Sequence, residues 1–139
     1  MDAVQNMSLV QMVYVSEARG RLSNAELMSI VHAARRWNEK RDITSLLFYK
    51  DGYFGQVLEG GYDAVSMACN RIMRDSNHYR IIQLASKPIQ SRLIPSHALK
   101  FYGSDGLDRK HPSLSEVLVG DRANKENLLR LILLASINL

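Results

Sequence analysis

The sequence predicts an α+β fold of the ferredoxin-like type, in which two helices pack on one face of an antiparallel sheet. Three observations predict it. Segments with strand-like and helix-like hydrophobic patterns follow in the order strand, helix, strand, strand, helix, strand. Between the two consecutive strands, Asp51-Gly52 favours a type I′ hairpin turn. The 139 residues, 46% of them hydrophobic, are enough for one domain with one core.

The first strand and the first helix have the clearest local signals. Residues 9–16 are rich in β-branched side chains, which favour a strand. Ser23 and Glu26 form a capping-box pattern that predicts the start of a helix. This helix has apolar residues at three- and four-residue spacing: Leu27, Ile30, Val31 and Ala34. Asn38 follows Ala34 by four residues and is therefore expected on the same inward side.

The remaining elements complete the predicted sheet. Strands are expected at 43–49, 53–59 and 79–86, with a helix from about 63 to 74 and a break at Gly60-Gly61. A shorter fifth strand is expected at 97–102. Right-handed crossovers put both helices on one face, so the spatial strand order should be 4-1-3-2 with strands 1 and 3 antiparallel.

The other face of the sheet also needs a cover, because the first strand is apolar on both sides. Helical patterns at 114–119 and 126–137 supply one, and the second of these is dense in leucine. We expect them to pack on the chain's own sheet; the alternative is a surface for self-association or for a partner. The predicted organisation is thus a domain at 8–102 with a C-terminal helical extension at 103–139.

Composition narrows the class of protein. No apolar run reaches the length of a membrane helix, and no basic segment followed by an apolar stretch marks a signal peptide. The single cysteine, Cys69, cannot form an internal disulfide, so we expect a cytoplasmic protein. The net charge of +4 comes from scattered basic residues, which favours a solvated surface over direct nucleic-acid binding.

Three polar side chains occupy positions where the pattern predicts burial. Tyr14 and Gln56 are expected on adjacent central strands, with Asn38 approaching from the first helix. Buried polar groups need partners, because an unpaired one costs about 1–3 kcal/mol. The three could satisfy one another as a polar core network. They could also surround a planar ligand with hydrogen-bonding groups on its edge, between apolar walls from Ile30 and Ile72.

Signatures of enzymes are missing from the sequence. It contains no phosphate loop, no dinucleotide-binding glycine pattern and no metal-type spacing of histidine and cysteine. We therefore expect a protein that is not an enzyme and holds no metal, although a small acyl- or phosphoryl-group hydrolase stays as a rival. A second rival is an RNA-binding sheet, suggested faintly by the run from Asp51 to Gly55.

The polar residues belong to longer motifs that resemble the BLUF domain, a sensor of blue light that uses FAD. The resemblance covers roughly residues 8–102. It rests on Tyr14 and on five later stretches: Asn38-Glu39-Lys40-Arg41-Asp42-Ile43-Thr44, Leu46-Leu47-Phe48-Tyr49, Gly52-Tyr53-Phe54-Gly55-Gln56-Val57-Leu58-Glu59-Gly60, Arg74-Asp75-Ser76-Asn77-His78 and Pro88-Ile89.

This resemblance implies a function and roles for matched residues. Tyr14 is expected to donate an electron and then a proton to the excited flavin, and Gln56 to bridge Tyr14 and the ring. Asn38 is expected to bond the polar edge of the ring. Further cofactor-binding positions are expected at Ile30, Ile72, Asp75, Asn77 and His78. FAD is the expected cofactor, with FMN or riboflavin possible.

The output of such a sensor is also implied. Because no effector domain is recognisable, a downstream protein is expected to bind through the C-terminal helices or the fifth strand, with a homo-oligomer as the assembly. A protein of this family that serves as an interaction module without photochemistry is the remaining alternative.

Four positions depart from the family's usual residues. Ser45 replaces a glycine and is expected to crowd its strand, and Asn77 replaces an arginine before His78. On the fifth strand, His97 replaces tryptophan or serine, and Leu99 replaces methionine. His97 and Leu99 are the expected signal-transmission positions, so we expect changed recovery kinetics after illumination.

Overall fold

The computed structural model of the protein describes residues 8–120 and 123–139. The start of the chain, on which the signal-peptide expectation depends, lies outside these ranges. The strands in these ranges are β1 (Leu9–Ala18), β2 (Thr44–Lys50), β3 (Tyr53–Gly61), β4 (His78–Pro88) and β5 (Lys100–Tyr102). The helices in the same ranges are α1 (Asn24–Glu39), α2 (Tyr62–Arg74), α3 (Ser104–Lys110), α4 (Pro112–Val119) and α5 (Lys125–Ile137).

One five-stranded sheet has the order β4-β1-β3-β2-β5, which confirms the predicted 4-1-3-2 arrangement. β1 and β3 are antiparallel neighbours at its centre, and their register sets Tyr14 directly opposite Gln56. β5 pairs with β2 in parallel at the edge. The α+β fold class is therefore as predicted.

Two local signals produce the structure that they predict. Ser23 caps α1 by accepting a hydrogen bond from the backbone N–H of Glu26, whose carboxylate accepts one from the N–H of Ser23 in return. Asp51 and Gly52 have positive φ values of 49° and 89°, as a type I′ turn requires. That turn fixes the register of β2 against β3, and with it the direction in which Gln56 points.

Both faces of the sheet are covered. Helices α1 and α2 cover the face that includes Met12, Tyr14 and Leu58. Helices α3, α4 and α5 cover the other face, where they form one buried cluster with the strands: Val13, Val15, Leu46, Phe48, Val57, Leu107, Leu114, Leu118, Leu128 and Ile132. The predicted cover by the chain's own C-terminal helices is confirmed. Helix α5 still leaves Leu134 and Ile137 44% and 63% exposed.

The fifth strand is shorter than predicted. Only Lys100–Tyr102 pair with β2, so His97 and Leu99 precede the strand instead of lying in it. The reason lies in the hydrogen bonds of the preceding segment. The carbonyl oxygen of Ala98 accepts hydrogen bonds from the side chains of Asn38 and Ser45. The carbonyl oxygen of Leu99 accepts from the side chain of Arg35. These carbonyls are therefore not available for a regular ladder.

One further prediction about the elements was wrong, and one helix was missed. Gly60 and Gly61 do not break the strand, because β3 runs through Gly61. Gly60 instead allows the backbone of Asp42 to pack closely against β3, because a Cβ at position 60 would lie 3.2 Å from the Asp42 carbonyl oxygen. Helix α3 was not predicted; it is seven residues long, mostly polar, and contains Gly106.

The C-terminal helices share a core with the sheet, and the predicted boundary between residues 102 and 103 falls at the end of β5. A division into two domains stays a prediction. Within the described ranges, no helix is both long enough and apolar enough to span a membrane.

Candidate functional site

A cavity of about 580 Å³ opens between α1, α2 and the central strands. Its volume lies in the range typical of small-molecule sites. The structure brings together around it every residue that the sequence predicted to bind a cofactor or carry photochemistry: Tyr14, Ile30, Asn38, Gln56, Ile72, Asp75, Asn77 and His78.

Tyr14 and Gln56 are in direct contact at the base of the cavity. The Tyr14 hydroxyl donates to Gln56 Oε1 over 2.6 Å, and the two side chains are only 2% and 5% exposed. Burial raises the pKa of Tyr14, and the nearby Asp75 and Cys69 raise it further. The phenol is therefore neutral at physiological pH and can act as a hydrogen-bond donor.

Asn38 connects the cavity to the segment before β5. Its Nδ2 donates to the carbonyl oxygen of Ala98 at 2.9 Å and to Ser45 Oγ at 3.1 Å. The Ser45 hydroxyl in turn donates to the same Ala98 oxygen at 2.8 Å. Ser45 was expected to crowd its strand, yet β2 keeps its pairing there, with Ser45 opposite Leu58. The serine thus adds a hydrogen-bonding group between the site and residues 97–99.

His78 is held by polar and aromatic contacts. Its Nδ1 lies 2.8 Å from Ser16 Oγ, and its Nε2 lies 3.7 Å from a carboxylate oxygen of Asp75. The ring packs at a tilt against Phe54, with 4.7 Å between centroids. Burial lowers the pKa of His78, and the charge of Asp75 opposes this shift. The backbone N–H of Asn77 donates to Asp75, which fixes the turn between α2 and β4.

Sequence reasoning missed several side chains at this site. Ser16 lies two residues after Tyr14, so strand alternation could have found it. Trp37 directly precedes Asn38, and Arg71 directly precedes Ile72. Consecutive residues of a helix point in different directions, so the predicted roles of Asn38 and Ile72 did not indicate that their neighbours also line the cavity. The other unpredicted residues that line the cavity are Ser29, Ala33, Ala34, Leu47, Phe54, Leu58, Ala68 and Arg74.

The predicted transmission residues do not line the cavity. His97 is exposed, and only its backbone oxygen makes a described contact, accepting from the N–H of Ser45 at 2.9 Å. Leu99 is 4% exposed and packs in a cluster with Leu47 and Phe54. Leu99 therefore touches residues of the cavity wall, whereas His97 joins the sheet through its main chain.

The geometry argues against the RNA-binding alternative. That mode needs aromatic side chains on an open sheet face. Phe54 is fully buried beneath α1, and the opposite face is covered by the C-terminal helices.

The residues of the cavity suit a flavin ring. Aliphatic side chains from α1 and α2 provide surfaces for the apolar faces of a planar ligand, while the amides of Asn38 and Gln56 can meet a polar edge. In the described part of the chain, no group of three or more His, Cys, Asp or Glu side chains is arranged to hold a metal ion.

Comparison with known proteins agrees with this chemistry. The sequence model described as "BLUF: Sensors of blue-light using FAD" matches residues 9–100. The photoactivated adenylate cyclase subunit beta of Euglena gracilis is 31% identical over 84% of this chain, which spans 14% of that relative. The blue light- and temperature-regulated antirepressor BluF of Escherichia coli is 32% identical over 55% of this chain and 19% of its own length.

Solved structures show the same architecture. BlrB, a BLUF protein in its dark state, superposes with a TM-score of 0.79 at 25% identity, covering 94% of this chain and 98% of BlrB. A bacterial light-regulated adenylyl cyclase gives a TM-score of 0.75 at 26% identity, covering 94% of this chain and 40% of the cyclase. Because the family match extends over residues 9–100, this chain belongs to the BLUF family of blue-light sensors that use FAD.

Proposed function

We propose that the chain holds FAD in the cavity and senses blue light through Tyr14 and Gln56. The observation that carries this proposal is the 2.6 Å hydrogen bond from Tyr14 to Gln56 Oε1 at the base of a ligand-sized cavity. When bound, the flavin supplies light absorption and an excited state that can accept an electron. Tyr14 would give this bound flavin an electron and then its hydroxyl proton.

Gln56 responds to the loss of that proton. Its Oε1 accepts the Tyr14 hydroxyl in the present arrangement. Once this donor has gone, the amide can rotate or tautomerise and direct an N–H toward the ring. A stronger hydrogen bond from Gln56 to a ring carbonyl would shift absorption to the red, and the return of both the electron and the proton to Tyr14 would restore the neutral phenol. A side chain with two stable arrangements is the element that a light signal needs.

The other lining residues have binding and orienting roles. Asn38 meets the polar edge of the ring, while Ile30 and Ile72 pack against its faces. Asp75, Asn77 and His78 lie together where α2 meets β4, and they bind the part of the cofactor at that end of the cavity. FAD is proposed from the family's description; FMN and riboflavin carry the same ring.

An absorption spectrum of the purified protein before and after blue light tests this function. We expect a flavin spectrum that shifts reversibly to the red. A flavin-loaded protein without any reversible shift would favour an interaction module that lacks photochemistry, and a colourless protein that does not bind added flavin would overturn the proposal. Chromatography of the released cofactor against FAD, FMN and riboflavin standards identifies the flavin.

For output, we propose a protein partner that binds through the C-terminal helices or β5, within a homo-oligomer. Two observations support this. Leu134 and Ile137 are exposed apolar side chains on α5, and the segment directly before the three-residue edge strand β5 is joined to the site because the Ala98 carbonyl oxygen accepts from Asn38 and Ser45. Light scattering on the wild type and on Leu134→Glu/Ile137→Glu tests the assembly. A wild type that stays monomeric in darkness and in light would contradict the oligomer.

A further inference from the structure

Trp37, the only tryptophan of the chain, lines the cavity. It is partly buried and directly precedes Asn38 on α1. The guanidinium carbon of Arg41 lies 3.9 Å from the centroid of the Trp37 ring, and that of Arg71 lies 4.5 Å from it. Arg41 is fixed further by donating to the Trp37 carbonyl oxygen at 3.0 Å. Two cations from different parts of the chain are therefore placed over a single indole.

An indole in such a cavity has a chemical consequence. Tryptophan and tyrosine are the protein side chains that lose an electron most easily, so Trp37 could compete with Tyr14 for reduction of the excited flavin. The step would leave an indole radical cation, and the electron would later return without breaking a bond. Unlike Tyr14, Trp37 makes no described hydrogen bond to Gln56, so its oxidation would not move the proton on which Gln56 depends.

We propose that Arg41 and Arg71 suppress oxidation of Trp37 and thereby reserve electron donation for Tyr14. This inference rests on the proposed flavin photochemistry. A cation over an aromatic face stabilises the neutral, electron-rich ring. The same cation repels a ring that has lost an electron, and the distances of 3.9 and 4.5 Å are too short for salt to screen this repulsion fully. Both effects make removal of an electron from Trp37 harder.

The test begins with flavin-free protein, so that it does not depend on the cofactor. The uncharged azide radical, generated by pulse radiolysis, oxidises Trp37, and transient absorption follows the indole radical. We expect Arg41→Gln and Arg71→Gln each to raise the oxidation rate by about two- to fivefold. Arg41→Lys and Arg71→Lys should stay close to wild type because the charge remains. Arg36→Gln, at an exposed position on the helix that holds Trp37, controls for the loss of one positive charge. Trp37→Phe measures how much of the signal comes from oxidation of tyrosines.

Circular dichroism and acrylamide quenching of Trp37 fluorescence establish that each variant is folded and that access to the indole is unchanged. Equal oxidation rates in the wild type and both glutamine variants would overturn the proposal. So would an equal increase in the lysine variants, since charge would then not be the cause.

Flavin-loaded protein supplies the second readout. We expect a shorter flavin fluorescence lifetime and a lower yield of the red-shifted state in Arg41→Gln/Arg71→Gln, with both restored when Trp37→Phe is added. Failure of Trp37→Phe to restore them would also overturn the proposal. If the wild type shows no red shift at all, the proposed function fails, while the azide rates still decide whether the arginines protect the indole.

Discussion

Tyr14 and Gln56 are cross-strand neighbours on β1 and β3, and the tyrosine hydroxyl donates to the glutamine Oε1 over 2.6 Å within a buried environment. That register belongs to the β1–β3 pair, while the Asp51-Gly52 turn sets the register of β3 against β2 on its other side. A slip of one residue would turn Gln56 to the opposite face, toward the C-terminal helices. The site therefore depends on the register of the central strands as much as on its own side chains.

Tyr14→Phe is expected to abolish the light-induced red shift while flavin binding remains. It removes the donor to Gln56 and leaves a buried acceptor without that partner, so the free energy of unfolding should fall by about 1–3 kcal/mol. Absorption spectra under blue light and urea titrations measure the two effects. Tyr79→Phe, on β4 outside the cavity lining, is the matched control and should keep the shift. A persistent shift in Tyr14→Phe would refute the assigned role.

The site residues on β1 and β3 could be predicted because strand periodicity and a strong turn signal determine which side chains share a face. The contact between Ser16 and His78 could not, because it joins residues 62 positions apart across a strand pair with register shifts. Helix α3 escaped prediction because its polar sequence becomes helical only through packing of Leu107 into the core.

The segment before β5 shows a different limit of sequence reasoning. Residues 97–99 have a strand-like sequence, but side chains from α1 and β2 donate to the carbonyl oxygens of Ala98 and Leu99. The sequence could identify Ser45 as unusual at its position, but it could not predict that the Ser45 hydroxyl would donate to the Ala98 carbonyl oxygen. We therefore expect signal transmission to involve these main-chain contacts as well as the side chain of Leu99.

Ser45 and Asn38 should be energetically coupled through the Ala98 carbonyl, which accepts from both. Ser45→Ala and Asn38→Leu each leave it one side-chain donor and each also break the hydrogen bond between Asn38 and Ser45, whereas the double variant removes both donors. We expect the loss of stability in the double variant to differ from the sum of the single losses by about 0.5–3 kcal/mol. Urea denaturation of the four proteins completes the cycle. Additive losses would mean that the two donors do not share this acceptor.

Leu99→Met should change the rate of dark recovery with little effect on stability. The side chain is 4% exposed and packs against the cavity wall, and a swap that keeps volume usually costs less than about 1.5 kcal/mol. Absorption decay after a light pulse measures recovery. Leu27→Met, in the same buried cluster but on α1, is the control for packing alone. Unchanged recovery in Leu99→Met would show that this position does not control the kinetics.

His78 should make the protein less stable as the pH falls below about 6.5. Burial lowers its pKa from 6.5 in the folded state, and Asp75 only partly opposes this. The unfolded chain therefore binds a proton at a pH where the folded chain does not, so the free energy of unfolding decreases as the pH falls from 6.5 toward the folded pKa. Above 6.5 both states are neutral and the contribution is fully present.

Urea denaturation between about pH 8 and about pH 5 measures this dependence and stays above the range in which Glu26 and Asp108 titrate. Burial also lowers the pKa of His111, so this residue contributes with the same sign. His78→Gln should flatten the slope, and the remaining dependence should fall further in His78→Gln/His111→Gln. His78 is the more deeply buried of the two, with 9% of its surface exposed, and should account for the larger share. A slope that His78→Gln leaves unchanged would mean that the folded protein accepts a proton at His78 as readily as the unfolded chain does.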